Sequence, residues 1–176
     1  LGDVYKRQVL SGERGEESAA RAKYNIFEPD RADLRNGRQF TRHVDRFRPI
    51  RDWKEQQVWD IIKRYRIRVH PCYYMGWGRC SCKFCIFGNK NQFASAASVS
   101  PEQIGRIIKL ERDFGYTLKR NLSLPELIAM GCVYKNITPE LQCLATSYNY
   151  EQAIILPVAE EWTLPAGAFG ENCGAI

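Results

Sequence analysis

The sequence lacks any long apolar run. Its longest stretch without a polar residue, Ala153 to Ala159, is far shorter than the roughly 20 residues of a membrane-spanning helix. It also lacks the basic and apolar segments of a secretory signal at its start. We therefore expect a cytoplasmic protein with no membrane partner. In that compartment, seven cysteines are typical of a metal or redox site rather than of disulfides.

Basic residues are absent from the end of the chain. Residues 136 to 176 contain five glutamates and no lysine or arginine, whereas residues 21 to 68 contain fourteen lysines and arginines against seven acidic residues. An anionic partner is therefore expected on the first half, which suits nucleotide phosphates, sulfate or a nucleic acid backbone. A solvated basic surface is the alternative. The content of 44% hydrophobic and 26% charged residues is typical of a globular core and excludes disordered and collagen-like classes.

The opening residues do not read as natural sequence. Asp3 to Gln8 match one reading frame of a common transposase sequencing adapter, GAT-GTG-TAT-AAG-AGA-CAG. We expect residues 1 to 8 to be an adapter-derived artefact, and residues 9 to 176 to form a single domain that is the later part of a longer gene product.

Capping patterns predict most of the helices. The clearest has Asp52 as N-cap with Glu55 three residues later, and an apolar face built from Val58, Ile61, Ile62 and Tyr65. Further start signals predict helices at 100 to 115, 123 to 131 and 138 to 145, and composition favours one at 16 to 22. Short strands are expected at 9 to 10, 44 to 47 and 153 to 158.

One candidate anion site is the turn that follows the first expected strand. Backbone N–H groups at the start of a helix favour an anion. Arg14 and Arg21 add fork-shaped donors for phosphate or sulfate oxygens, and Glu17 is placed to orient one of them or to accept from a ribose hydroxyl. An ordinary surface turn with an exposed ion pair is the alternative.

A second candidate site is rich in thiols. Cys82 and Cys85 form a CxxC pair, Cys80 and Cys72 are the natural third and fourth metal ligands, and His70 is a substitute. Such a set suits zinc or an iron–sulfur cluster. A second CxxC pair would favour zinc, but the sequence has none, so both metal centres stay open. Redox-active or merely buried thiols are the alternative. The same reasoning treats Cys132 and Cys143 as buried small hydrophobes, and several aromatic residues as core: Trp53, Trp59, Tyr65, Phe84 and Phe87.

Three motifs taken in order resemble the phosphoadenosine phosphosulfate reductase family over residues 9 to about 135. They are Ser11-Gly12-x-Arg14-x-x-Glu17-Ser18-x-x-Arg21, Arg48-Pro49-Ile50-x-Asp52-Trp53, and Gly76-Trp77-Gly78-Arg79-x-Ser81-Cys82-x-x-Cys85-Ile86-Phe87-Gly88. The closing segment 164 to 170 is similar to the end of an uncharacterised branch of that family.

The resemblance implies an α/β fold of the adenine nucleotide α-hydrolase-like, Rossmann-like type, here its mostly helical later part with a cysteine-rich loop. It implies an enzyme that binds an adenylyl nucleotide or adenylyl sulfate, with a thiol reductant protein as partner. Arg14 and Arg21 match arginines near the phosphate or sulfate end of the nucleotide. The family's pyrophosphate loop is not found after residue 9, which agrees with the adapter interpretation.

The departures from the family pattern concern the sulfur chemistry. Reductases of the family carry a nucleophilic cysteine in a Glu-Cys-Gly-x-His tail, which Cys173-Gly174 echoes only in part, so Cys173 is a weak catalytic candidate. Cluster-binding members use an adjacent Cys-Cys pair, which this sequence lacks. Two other hypotheses stay open: a sulfur-inserting or adenylating enzyme acting on DNA or tRNA, and a non-catalytic zinc-binding module.

Overall fold

The computed structural model describes residues 6–37 and 42–170, and these form two compact units that divide between Asp60 and Ile61. The strands are β1 Lys6–Leu10, β2 Phe27–Pro29 and β3 His43–Phe47. The helices are α1 Glu55–Arg64, α2 Pro71–Met75, α3 Lys90–Val99, α4 Pro101–Phe114, α5 Leu124–Ala129 and α6 Pro139–Thr146. Among the described residues, no helix has the length and apolar character that crossing a membrane requires.

The first unit is built on a three-stranded sheet in the order β1-β3-β2. β1 runs parallel to β3, with Val9 opposite Arg46, and β2 runs antiparallel to β3, with Phe27 opposite Phe47. The strand expected near residues 44 to 47 is confirmed as β3, whereas β2 was not predicted. A mixed α/β fold is therefore present, and the sheet of the described residues is small.

The helix predicted for residues 16 to 22 is wrong. The segment forms two 3-10 turns, Gly15–Glu17 and Arg21–Lys23, with Ser18 extended between them. The Ser18 hydroxyl oxygen accepts a hydrogen bond from the Arg21 N–H at 3.2 Å. Such local side-chain bonds compete with helix formation, which explains the interruption.

A network of ion pairs and hydrogen bonds connects the loop before β3 to that strand. Arg35 donates from Nε to Asp33 at 2.7 Å and also pairs with Asp45, while the Val44 N–H donates to Asp33 Oδ1 at 2.7 Å. The hydrogen bond from Arg35 is the largest cause that lowers the pKa of Asp33 from 3.8 to about 2. The carboxylate is thus stabilised in its ionised form in the folded unit.

This network predicts acid sensitivity. Because the folded-state pKa of Asp33 lies below 3.8, its ionised form stabilises the fold above about pH 4, and that stabilisation is lost as the pH falls through about 2. Urea unfolding of an Asp33→Asn variant should show a shallower fall in stability between pH 5 and 2 than the parent chain, at about those pH values. The exposed Asp113→Asn variant is the control, and equal slopes for parent and Asp33→Asn would refute the assignment.

The second unit has its core where α3, α4 and α5 meet. The buried centre consists of Phe93, Ile104, Leu124 and Leu127. Capping explains the helix bounds: Asn89 accepts from the Gln92 N–H at 2.9 Å before α3, and Gly115 adopts a left-handed conformation with φ +69° after α4. The helices predicted at 100 to 115, 123 to 131 and 138 to 145 are confirmed as α4, α5 and α6.

Other predictions about local structure are wrong. α1 begins at Glu55 rather than after Asp52, because the Asp52 carboxylate pairs with Arg51 while Lys54 N–H donates to Gln57 Oε1 at 2.8 Å. Residues 153 to 158 form one isolated bridge, between Ile155 and Ile67, instead of a strand. Helices α2 and α3 were not predicted.

The expected burial of several side chains is also wrong. Trp59 is buried and Phe84 packs against the core of the second unit, as predicted. Tyr65 and Phe87, expected in the core, are exposed. Cys132 and Cys143, expected to be buried, are exposed as well.

Candidate functional site

The three residues predicted to form a substrate-binding site, Arg14, Glu17 and Arg21, lie together in the first unit. Glu17 sits between two guanidinium groups: its Oε1 is 3.6 Å from Arg14 Nε, and its Oε2 contacts Arg21 Nη1. The Arg14 N–H also points to Glu17 Oε2 at 3.4 Å. Glu17 therefore orients both arginines, which is one of the two roles expected for it. We call Arg14, Glu17 and Arg21 the arginine cluster.

The two arginines of this cluster differ in exposure. The Arg14 side chain is only 13% exposed and pairs with Glu16 at 3.2 Å as well as with Glu17, whereas the Arg21 side chain is 44% exposed. A guanidinium carries five N–H donors, so pairing with one carboxylate leaves donors of Arg21 directed to solvent. Arg21 is thus the more accessible of the two guanidinium groups, and Arg14 is the more enclosed.

Arg48 connects the end of β3 to two other segments of the first unit. Its side chain is buried, with Nε donating to Glu13 at 2.6 Å and Nη1 donating to Glu28 at 2.7 Å and to the Asn25 carbonyl at 2.9 Å. The guanidinium lies 4.5 Å from the centre of the Tyr24 ring. Its hydrogen bond lowers the pKa of Glu13. Sequence reasoning placed Arg48 in a motif but assigned it no role.

The cysteine-rich loop brings two of the four predicted metal ligands together. The donor atoms of His70, Cys72 and Cys80 lie within 4.8 Å of one another. Cys72 is in α2, Cys80 follows α2 along the chain, and His70 is the substitute ligand. We call these three residues the His-Cys-Cys group. Cys82 and Cys85 are not part of it, and instead line a small cavity that Trp77, Arg79 and Lys83 share. The CxxC pair of the predicted metal site therefore lies outside the His-Cys-Cys group.

The His-Cys-Cys group sits at the start of a short helix. His70 is the N-cap of α2, and its Nδ1 accepts from the Cys72 N–H at 3.2 Å. Burial raises the pKa of the Cys72 thiol, with the neighbouring Cys80 as a further cause, and burial lowers the pKa of His70. The neutral forms of both side chains are thus favoured.

Tyr73 connects the group to the closing segment of the chain, residues 164 to 170. Its hydroxyl accepts from the Cys80 N–H at 3.1 Å, and its carbonyl accepts from the Gly167 N–H at 2.8 Å. A Cβ on Gly167 would lie 2.1 Å from the Trp77 carbonyl oxygen, so only glycine fits this approach. The catalytic candidate Cys173 lies outside the described residues.

The donor types of the group discriminate between the two metal centres considered. Iron–sulfur clusters are held by thiolates, in most cases four cysteines. Zinc accepts mixed sets of imidazole nitrogen and thiolate. Two thiols with one imidazole therefore fit a zinc ion better than a four-cysteine cluster.

Comparison with known proteins identifies the family of this chain. The phosphoadenosine phosphosulfate reductase domain matches residues 1–133, so the chain belongs to the phosphoadenosine phosphosulfate reductase family. An uncharacterized 37.8 kDa protein of Escherichia phage 186 is 37% identical over 111 residues, which cover 62% of this chain and 31% of the relative.

Two further relatives carry a functional name. The adenosine 5'-phosphosulfate reductase of Burkholderia cepacia is 29% identical over 76 residues, 43% of this chain and 27% of that protein. The enzyme of the same name from Allochromatium vinosum is 30% identical over 76 residues, 43% of this chain and 26% of that protein. The chain thus spans less than a third of the length of these curated relatives. No solved structure gives a significant match.

Proposed function

We propose that this chain is the later part of an enzyme that binds adenylyl sulfate or a related adenine nucleotide and acts on its sulfur. The observation that carries the proposal is the arginine cluster. By resemblance to the family, Arg14 and Arg21 match arginines near the phosphate or sulfate end of the nucleotide, and both guanidinium groups pair with the Glu17 carboxylate. Two relatives named adenosine 5'-phosphosulfate reductase give the substrate class its support.

The chemistry of the cluster suits a small tetrahedral oxyanion. Guanidinium groups bind sulfate and phosphate oxygens through two parallel N–H bonds. The exposed Arg21 supplies those bonds, while Glu17 holds its guanidinium plane in one orientation. The anion replaces part of the carboxylate pairing of Arg21, so we expect moderate affinity that falls as salt rises.

The basic first half of the chain gives less support to a nucleic acid partner. A surface that binds a nucleic acid backbone needs cations that are available to phosphates. In this unit many of the arginines are paired with carboxylates of the same unit: Arg14, Arg35, Arg46, Arg48 and Arg51. These arginines are therefore less available to the phosphates of a nucleic acid backbone than unpaired cations would be.

Reduction at sulfur makes a further demand. Conversion of an adenylyl sulfate to sulfite takes two electrons, which two thiols supply when they form a disulfide. A thiol reductant protein is accordingly the proposed partner. Cys173 remains the proposed nucleophile from the sequence.

The test is calorimetric titration of adenosine 5'-phosphosulfate into the chain carrying the coding sequence found upstream of it. We expect Arg21→Ala to weaken binding by about tenfold or more, equivalent to about 1.4 kcal/mol, and Arg21→Lys to retain part of it because lysine keeps the positive charge but lacks the fork-shaped donors. Arg31→Ala, an exposed arginine of the same unit outside the cluster, is the matched control and should bind like the parent.

Titration with adenosine monophosphate locates the contact. If Arg21 touches the sulfate end, its loss should affect adenosine 5'-phosphosulfate more than the monophosphate. An Arg21→Ala variant that binds both nucleotides as tightly as the parent would refute the assigned role. Steeply salt-dependent binding of single-stranded DNA with no nucleotide binding would support the nucleic acid hypothesis instead.

A further inference from the structure

We propose that His70, Cys72 and Cys80 bind a single zinc ion, with the fourth coordination position open to water or an exogenous thiolate. The proposal differs from the four-cysteine set predicted by the sequence, and it does not rest on the proposed nucleotide site. Its basis is the convergence of three donor atoms within 4.8 Å, from residues on both sides of the glycine turn at Gly76 and Gly78.

The spacing is close to that of a tetrahedral site. With zinc–sulfur bonds of about 2.3 Å and zinc–nitrogen bonds of about 2.0 to 2.1 Å, neighbouring ligand atoms lie about 3.3 to 3.8 Å apart. The three donors therefore need to approach by only ~1 Å or so to fill three corners of such a site. His70 and Cys80 are exposed, so their side chains have room for that adjustment.

The orientation of His70 identifies its ligand atom. Nδ1 accepts the Cys72 N–H at 3.2 Å, so the nitrogen lone pair faces the start of α2, where Cys72 lies. In a neutral imidazole with an accepting Nδ1, the proton resides on Nε2. A zinc ion takes the Nδ1 lone pair in place of the backbone N–H, and the ring keeps its tautomer.

A turn and a hydrogen bond hold Cys80 close to α2. Gly76 ends α2 in a left-handed conformation with φ +117°, which a residue with a side chain rarely adopts. The Tyr73 hydroxyl then receives the Cys80 N–H at 3.1 Å. Tyr73 is itself fixed by the Gly167 N–H, so the closing segment supports the position of Cys80. A site ordered in advance in this way loses less freedom when the ion binds.

Within residues 6–37 and 42–170, the position of the CxxC pair leaves three protein ligands rather than four. Cys82 and Cys85 line a separate small cavity, in which the Cys85 N–H donates to the Cys82 carbonyl at 3.1 Å. Zinc sites with three protein ligands and one open position are the type that binds an exchangeable group. The ligand class expected at the open position is therefore water or a thiolate.

The experiment uses Co²⁺ as a spectroscopic probe for zinc, titrated into the reduced full chain without oxygen. The intensity of the thiolate-to-cobalt charge-transfer band reports the number of bound thiolates, and we expect two. Displacement of Co²⁺ by Zn²⁺ should abolish the band at one equivalent. Circular dichroism confirms that each variant is folded before it is titrated.

The variants separate the two donor sets. Cys72→Ser and Cys80→Ser should weaken cobalt binding at least tenfold, and so should His70→Asn, which keeps an N-cap acceptor but lacks the imidazole. Cys82→Ser and Cys85→Ser should bind within about twofold of the parent, as should the control Cys132→Ser, whose thiol is exposed.

Three results would overturn the proposal. The first is a folded parent chain that takes up no cobalt. The second is a charge-transfer intensity that corresponds to four thiolates. The third is an equal loss of affinity in Cys82→Ser and Cys72→Ser, which would restore the CxxC pair as part of the site.

Discussion

Replacement of Gly167 by alanine should destabilise the second unit by about 2 to 3 kcal/mol, as overpacking of a tight contact does. The added Cβ would lie 2.1 Å from the carbonyl oxygen of Trp77, 2.7 Å from its carbonyl carbon and 2.9 Å from the Tyr73 carbonyl oxygen. All three are backbone atoms, which cannot rotate away. The closing segment must therefore move, and the Gly167 N–H loses its bond to Tyr73.

Gly105→Ala is the matched control for this substitution. Gly105 lies inside α4, and a Cβ there meets nothing within 4 Å. Alanine in the interior of a helix should stabilise the chain by roughly 0.5 to 1 kcal/mol relative to glycine. Urea unfolding followed by tryptophan fluorescence measures both variants. If Gly167→Ala proved as stable as the parent, the contact of the closing segment with α2 would be wrong.

Replacement of Arg48 by methionine should destabilise the first unit by roughly 2 kcal/mol. Removing one member of a fully buried ion pair costs about 3 to 5 kcal/mol, because a buried charge is left without a partner. Here Glu13 and Glu28 keep 27% and 32% side-chain exposure, so water partly replaces the lost guanidinium and reduces the loss. Methionine preserves much of the apolar length of the side chain.

Urea unfolding at neutral pH tests the role of Arg48 against a surface arginine. Arg31→Met removes an exposed guanidinium from the same unit and should change stability by less than about 0.5 kcal/mol. The hydrogen bond from Arg48 lowers the pKa of Glu13, so the difference between parent and Arg48→Met should shrink as the pH falls through that lowered pKa and protonated Glu13 no longer pairs with the guanidinium. A variant as stable as the parent at neutral pH would show that Arg48 does not hold the unit together.

Sequence reasoning predicted the helices with strong local signals. α4, α5 and α6 each combine a polar residue at the N-cap position with proline in the first turn, and these signals lie within a few neighbouring residues. α3 carries a comparable capping signal in Asn89 and Gln92, but its run of alanine and serine has no clear apolar face, so the sequence pattern does not predict this helix. β2 depends on pairing with β3, and its three residues carry no strand pattern of their own.

The two candidate sites also differ in how far the sequence predicts them. Arg14, Glu17 and Arg21 lie within eight residues, so a local motif is enough to predict that they lie together. The His-Cys-Cys group depends on a turn and on a hydrogen bond from Cys80 to Tyr73, supported by a residue more than ninety positions later. Spacing alone favoured the CxxC pair, because spacing does not contain such long-range contacts.

The central claim is that this family member binds an adenylyl sulfate nucleotide through its first half. The most direct measurement is calorimetric titration of adenosine 5'-phosphosulfate into the polypeptide extended by its upstream coding sequence, with inorganic sulfate and single-stranded DNA as comparisons. We expect saturable binding of one nucleotide per chain, with an affinity higher than that for inorganic sulfate. A folded polypeptide that binds DNA or sulfate but no adenylyl nucleotide would contradict it.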